Sequence, residues 1–465
     1  MLLVLSIFCL LVCHHILIIG KHGDGVQYAC VAQNLAEGWG TFWKPYLSET
    51  MHKVFHEHPP LVYWIQSWFF RWLGNGPYIE GIYGFIVSLV ILFGLALFWQ
   101  RVRCDEQLDK AGSWWPLLLL ISLPVITYMV QTNRLVVTFL PFAIFATYFS
   151  YLSISKSRIW LLHALLAGVL IYLGGIAKGP VALFSLAVPA IGWLTLKVPL
   201  SRAFISTAVA LLTCAMIFLG TAYLYPESLD FWKGFWQSQV VASLTNERGA
   251  GTSYFRYFER WISQMIVPFA LTGLLMLIIK EPFRRIRFNR QVWFFLLIAL
   301  AGALPFLASK RQHIRYILHS FPFFILSFAF LTDRIAIKIE TLLAEKQTLR
   351  KALGIAVLLL FAASLASMIY REGVVIKREP FYNDLYLRDI HLPKRIIVSV
   401  YPDQMIYGDL LFTDMQRFYR VSVTGELGHD YLLIDKNSDF KVPEGYEKVH
   451  KKPTEKYILY KRIQQ

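Results

Sequence analysis

Charge is what this chain has least of. Only 16% of its 465 residues are Asp, Glu, Lys or Arg and 56% are hydrophobic, whereas an ordinary soluble protein carries roughly 25% charged residues. With a mean hydropathy of +0.48, that shortage excludes a soluble globular chain and leaves an integral membrane protein. Acidic residues are the scarcer sign: 30 Asp and Glu stand against 46 Lys and Arg, a formal net charge of +16. The basic residues are dispersed through short loops between apolar runs, so the partners that fit are anionic membrane lipids and an anionic lipid substrate, and no nucleic acid. Cysteine is sparse too. Cys9, Cys13, Cys30, Cys104 and Cys214 are odd in number, lack metal-ligand spacing and fall mostly in apolar runs, which excludes a disulfide framework and a cysteine zinc site. There is no low-complexity tract and no close internal repeat. A basic segment ahead of the first apolar run is missing, and no small-x-small cleavage site precedes Lys21. Residues 2–19 therefore read as a retained first helix rather than a cleaved leader.

What the chain has in abundance is apolar runs of spanning length. About 20 residues at 1.5 Å rise cross the hydrocarbon core. On that basis helices are expected at 2–19, 78–100, 114–130, 135–154, 159–177, 180–197, 203–224, 262–280, 291–308, 316–332 and 352–370, eleven in all. With the N-terminus inside, the inner loops carry Arg101, Arg103, Lys110, Lys156, Arg158, Lys197, Arg202, Arg284, Arg285, Arg287 and Arg290, then Arg334 to Lys351. That is the positive-inside bias. The segments 20–77 and 225–261 and the tail after 370 then lie outside. The chain divides into a multi-spanning domain, 1–370, and a small extracytoplasmic α/β domain, 371–465. In the latter, short strand-like runs (R-I-I-V-S-V, D-Y-L-L-I-D, K-Y-I-L-Y-K-R) alternate with polar turns. The fold class expected is thus mainly α and polytopic, with that appendage.

Three further segments have readable character. V-Q-Y-A-C-V-A-Q-N-L-A-E (26–37), closed by Gly38, has the spacing of a short amphipathic helix lying on the membrane. Pro226 to Arg260 joins aromatics to S-L-T-N-E-R-G-A-G-T-S, either a loop that orders over a substrate or an interfacial helix with a linker. The stretch 333–351 reads as a structural cytoplasmic interfacial helix.

Chemistry is to be sought where ionisable groups meet the outer surface, because such groups are costly there unless they work. Asp24 stands between Gly23 and Gly25. It can act as a general base or bind a metal, and equally it can cap the next helix. In H-E-H-P-P-L-V-Y-W, Pro59 and Pro60 fix the backbone and so orient Glu57 and His58. His56 and His58 are two apart and no H-E-x-x-H helix is present, which argues against zinc. Lys178-Gly179-Pro180 interrupts an apolar run at its outer end. K-R-Q-H-I-R-Y puts Lys310, Arg311, His313, Arg315 and Tyr316 on the outer face, against the positive-inside bias. An anionic ligand such as a polyprenyl phosphate suits these cations; anchoring to outer-leaflet headgroups is the plain alternative.

In order and spacing, G-D-G-x-x-Y-x-x-x-A-x-N-L-A-E-G, x-E-x-P-P-L-x-Y-W, A-K-G-P and R-Y-x-L-x-x-x-P (Arg315 to Pro322) resemble the multi-spanning GT-C glycosyltransferases. They are similar in particular to the bacterial relatives of dolichyl-phosphate-mannose protein mannosyltransferases and to lipid A aminoarabinose transferases. The resemblance covers the membrane part; the tail matches only in style. It implies a GT-C-like fold and a polyprenyl-phosphate sugar as donor. It also implies a lipid, glycan or protein acceptor, and a site facing the periplasm or exterior from a bacterial inner membrane. Asp24 and Glu57 would be catalytic. Tyr28, His56, His58, Lys178, Lys310, Arg311, Arg315 and Tyr316 would bind substrate; no cofactor is required, a divalent ion (Mg or Mn) being optional with Asp24 as its one candidate ligand. Two departures bear on this. Relatives often carry Lys where this chain has His58. They also often have a second acidic residue after the third helix, where this chain has Asn133 and Arg134, which weakens a two-carboxylate metal site. A transporter of lipid-linked sugars is the main rival, though its polar residues would gather at mid-membrane rather than on one face. A non-catalytic subunit that binds lipid-linked sugar is the second.

Overall fold

The structure, a computed structural model, describes residues 1–463 apart from 22, 110, 243–253, 283–285, 287, 309–312, 377, 389 and 451. Contacts divide the chain into two compact units. The first takes Met1–His14, Glu57–Val62 and Gly84–Tyr370; the second takes His15–His56, Tyr63–Tyr83 and Arg371–Gln465. The second unit's last segment begins where the sequence changes character, and it also draws in most of the first outer loop.

The first unit is helical, as apolar chain in lipid must be, since no water is there to satisfy an open backbone. Among the described residues eight helices are long and apolar enough to span: Ile79–Asp105, Leu135–Ile154, Trp160–Lys178, Leu200–Leu224, Phe258–Ile278, Arg290–Leu307, Ile314–Leu331 and Gln347–Tyr370. A ninth is the pair Trp114–Ile121 and Pro124–Gln131, bent by 72°. The bend falls where Pro124 withholds an amide and keeps Leu123 extended. Helices fill all eleven expected places, but 2–19 and 180–197 are shorter apolar helices, Leu2–His15 and Pro180–Leu196. The latter starts as the tight 3₁₀ turn Pro180–Ala187. Leu135–Ile154 is central, with 78% of its apolar window buried, whereas Gln347–Tyr370 at 11% and Leu200–Leu224 at 17% leave their side chains to lipid.

The two ends of this unit differ. At one, the loop 101–113 meets the loop after Ile278 and the helix Asp333–Glu345. Arg103 pairs with Asp333 at 2.9 Å, Lys338 with Glu281 at 3.3 Å, and Gln291 donates to Glu106 at 3.1 Å. These are the segments expected to be cytoplasmic. The helix Phe321–Leu331 runs from there to the turn Ile314–Ser320 at the opposite end.

The second unit is built on a five-stranded sheet of β1 (Ile397–Tyr401), β2 (Ser422–Thr424), β3 (Tyr431–Asp435), β4 (Tyr446–Lys448) and β5 (Tyr457–Arg462), in the order β2-β1-β3-β5-β4. The first three strands are parallel, β5 runs antiparallel to β3, and β4 antiparallel to β5. Short helices between residues 404 and 419 carry the crossover from β1 to β2. Val398, Val400, Leu433, Leu459, Leu411, Met415, Phe381 and Tyr382 form its core together with Ile19. Ile19 also bridges to Val375, so residues 17–19 and 373–376 share backbone hydrogen bonds here.

Candidate functional site

The first outer-loop helix, Gly23–Ala36, lies in the second unit. It forms where the spacing predicts a helix, but the expectation of a helix resting on the membrane does not hold. Gln33 and Asn34, two of its polar residues, are buried at 1% and 0% exposure, and ten of its fourteen residues are buried. The reason is an unusual number of polar partners. Asn34 donates to the carbonyls of Tyr46 and Leu47 at 2.8 and 2.9 Å and accepts from Gln416 at 3.3 Å. Cys30 donates to the carbonyl of Thr413 at 3.2 Å. Burial pushes the Cys30 thiol up to about 12, so it stays protonated and unreactive.

Two arginines from the 415–420 turn complete the setting. Arg417 grips Glu80 with Nε to Oε1 at 2.7 Å and Nη2 to Oε2 at 3.2 Å, and both side chains are almost fully buried. Arg420 makes the same two-pronged contact with Glu37 at 2.9 and 3.3 Å, its guanidinium stacked on Trp39. Burial alone would raise the Glu37 carboxyl, but the Arg420 hydrogen bonds and charge win and hold it below its ordinary value.

Asp24 is half-buried in the first turn of this helix, where the free amides and the dipole favour negative charge. The backbone before it runs close to other chain. A Cβ on Gly23 would come to 2.7 Å from Leu410 Cδ1 and 3.2 Å from Arg378 Nη2, so a larger residue there would have to displace the ends of those two side chains. Tyr28, four residues on, is buried and packs against Tyr63 with ring centroids 6.0 Å apart. His56, Glu57 and His58 are half-buried in the turn ahead of helix Leu61–Leu73. His56 belongs to the second unit, Glu57 and His58 to the first.

The first unit carries a cluster of cations at its other end. Lys178 is the last residue of its helix, and Gly179 follows with φ +92° and a would-be Cβ 2.9 Å from Phe235 Cζ, so only glycine fits. The Lys178 ammonium is buried, sits 5.5 Å from the Phe139 ring centroid, and has no hydrogen-bond partner among the described residues. Arg315 is near enough for its charge to act on Lys178, and its guanidinium lies 5.7 Å from the Tyr316 ring centroid. His319, which the sequence reading passed over, is fully buried beneath them, its Nε2 3.0 Å from the Gly302 carbonyl, boxed by Phe139, Phe184 and Phe306. Asn133 and Arg134 are both buried at the start of Leu135–Ile154. Lys310 and Arg311 lie outside the described residues, as does 243–253, the part of Pro226 to Arg260 expected either to order over a substrate or to serve as a linker. Phe231 and Phe235 of the neighbouring helix Glu227–Phe235 are buried. No group of three or more His, Cys, Asp or Glu side chains among the described residues is arranged to hold a metal ion.

The architecture is therefore that of a polytopic membrane protein with a GT-C-like fold and a small mixed sheet near its C-terminus. No protein-family profile matches the chain, and no curated protein sequence does. Solved structures do. The chain is similar to ArnT from Cupriavidus metallidurans bound to undecaprenyl phosphate, with a TM-score of 0.60 at 14% identity over 99% of this chain and 97% of that one. It is also similar to the apo state of the same protein, with a TM-score of 0.63 at 12% identity and the same coverage. A lower likeness, TM-score 0.47 at 10% identity, links 90% of this chain to 66% of AglB, the oligosaccharyltransferase of Archaeoglobus fulgidus, in complex with an inhibitory peptide and a dolichol-phosphate.

Proposed function

We propose that this chain is a membrane glycosyltransferase that moves a sugar from a polyprenyl-phosphate donor to a lipid, glycan or protein acceptor on the outer face of a bacterial inner membrane. The observation that carries this reading is the Lys178 ammonium, buried without a hydrogen-bond partner among the described residues and adjacent to Arg315. Burying an unpaired charge costs several kcal/mol, and a lipid phosphate would repay it. The ArnT structure's undecaprenyl phosphate supports that choice of anion. On this reading Lys178 and Arg315 hold the donor phosphate, with Lys310 and Arg311 as further contacts, and Tyr28, His56, His58 and Tyr316 contribute to substrate binding.

Asp24 then takes the proton of the acceptor hydroxyl. The freed oxygen attacks the anomeric carbon while the bond from that carbon to the phosphate oxygen breaks, and the electron pair leaves with the lipid phosphate, whose charge the cations stabilise. Direct displacement inverts the anomeric centre. Glu57, held by the two prolines, is the second catalytic carboxylate and orients the acceptor. The described side chains offer a divalent ion no ready-made set of ligands, so no step is routed through a metal.

The test is transfer by the purified protein in nanodiscs from radiolabelled polyprenyl-phosphate sugars to membrane extract. Wild type should turn over one donor with and without EDTA. Asp24→Asn should lower turnover at least ~10³-fold, as loss of a general base with its positioning does, while keeping donor binding. Sugar-lipid flux in proteoliposomes with no transfer would instead establish the transporter.

A further inference from the structure

We infer that Arg378, clamped by the buried carboxylate of Asp414, is a positioning residue that fixes the start of helix Gly23–Ala36, and with it Asp24, from the C-terminal part of the chain. The inference rests on the transferase reading only for what Asp24 does; the clamp itself stands on geometry within the second unit. Arg378 uses Nη1 for its partners: it bonds to Asp414, to Thr413 Oγ1 at 3.2 Å and to the Leu410 carbonyl at 3.5 Å. Nη2 is the atom that lies 3.2 Å from where a Cβ on Gly23 would stand. The guanidinium is therefore bonded to the 410–414 turn and stands against Gly23, the residue directly before Asp24.

Three observations make this contact look built. Arg378 at φ 55° and Leu410 at φ 54° are both in the left-handed region, which non-glycine residues seldom adopt unless their surroundings force it, and these are the two residues that press on Gly23. Asp414 is fully buried, and its other oxygen has no hydrogen-bond partner among the described residues, so Arg378 is its chief counter-charge. Burial pushes the Asp414 carboxyl up to about 6, with Arg378 opposing the shift. Finally, Cys30 bonds to Thr413 about two turns further along the same helix, so the 410–414 turn touches the helix at its start and in its middle.

The experiment uses the full chain in nanodiscs, with hydrogen exchange of the peptides covering residues 20–36 and transfer kinetics side by side. In Arg378→Gln, the amides of residues 24–28 should exchange about tenfold faster or more, while β1, β3 and β5 keep their protection. Turnover should fall about tenfold or more with donor KM within about twofold, since a misplaced reacting group costs kcat rather than binding. Arg378→Lys should recover part of both. Gly23→Ala, which pushes on the contact without removing any charge, should reproduce the kcat loss and guards against a variant that fails to fold. Unchanged exchange at 24–28, loss of protection throughout the sheet, or a loss confined to donor KM would each overturn the inference. A wild type that turns over no donor would sink the transferase reading, while the exchange arm would still decide whether Arg378 holds the helix start.

Discussion

Lys178 is the residue at which a cost to the fold and the proposed role in donor binding can be told apart. Its ammonium is buried over Phe139 with no hydrogen-bond partner among the described residues, so replacing it by the similarly long Met should relieve an unpaid desolvation. We expect Lys178→Met to raise the thermal midpoint of the ligand-free protein and to raise donor KM ~10- to 100-fold, the loss of a charge-assisted hydrogen bond. Thermal unfolding followed by tryptophan fluorescence, alongside steady-state kinetics, checks both signs. Glu37 gives a pH prediction. Its carboxyl is held below the ordinary value by Arg420 after burial has pushed the other way. Its contribution to stability is therefore complete above the unfolded value near 4.5 and lost as pH falls through the lower folded value. Wild type should lose thermal stability on that acid limb more steeply than Glu37→Gln, measured over pH 6 to about 3.5.

At the scale of elements, the helix Gly23–Ala36 depends on the 415–420 turn. Arg417 and Glu80 are both nearly fully buried and bonded twice to each other. Removing one partner strands the other's charge, which costs ~3–5 kcal/mol; replacing both by Met and Leu should cost far less. Thermal unfolding of Arg417→Met, Glu80→Leu and the double variant tests this, and equal losses in all three would refute it. Such dependence was not legible in the sequence. The apolar runs announced the spanning helices, and the alternating runs at 395–400, 430–435 and 456–462 announced β1, β3 and β5. β2 and β4 have three residues each, too few to show a period. The candidate site was legible in part. Asp24 and Lys178 stand out beside glycines at the ends of apolar runs, Glu57 ahead of a double proline, and Arg315 in a cation cluster on the face where cations are scarce. Arg378, Asp414, Arg417, Arg420 and His319 do not, because in a polar tail or an aromatic run they look ordinary until the fold brings their partners to them. The short helix at 26–37 was visible as a period, but its burial was not, since its polar residues meet other polar residues rather than water.

At the scale of the whole molecule, the chain after residue 370 supplies partners for the first outer loop at Cys30, Asn34 and Glu37. We expect a chain ending at Tyr370 to insert its spanning helices and yet leave residues 20–56 open to protease, while the full chain resists cleavage there. Limited proteolysis from the outer face of inverted and right-side-out vesicles reads this out, and equal resistance would show that the loop folds without the tail.

That division of labour along the chain also sets an order of events in the cell. Glu37 and Arg420 are separated by 383 positions, and Glu80 and Arg417 by 337. At ~5–20 residues per second, the ribosome takes roughly 20–75 s to deliver the second member of each pair after the first. Until then the segment bearing Asp24 has its near partners, Tyr46, Leu47 and Tyr63, but lacks those from the C-terminal part of the chain, so an unfinished or prematurely terminated chain should leave it exposed to quality-control proteases.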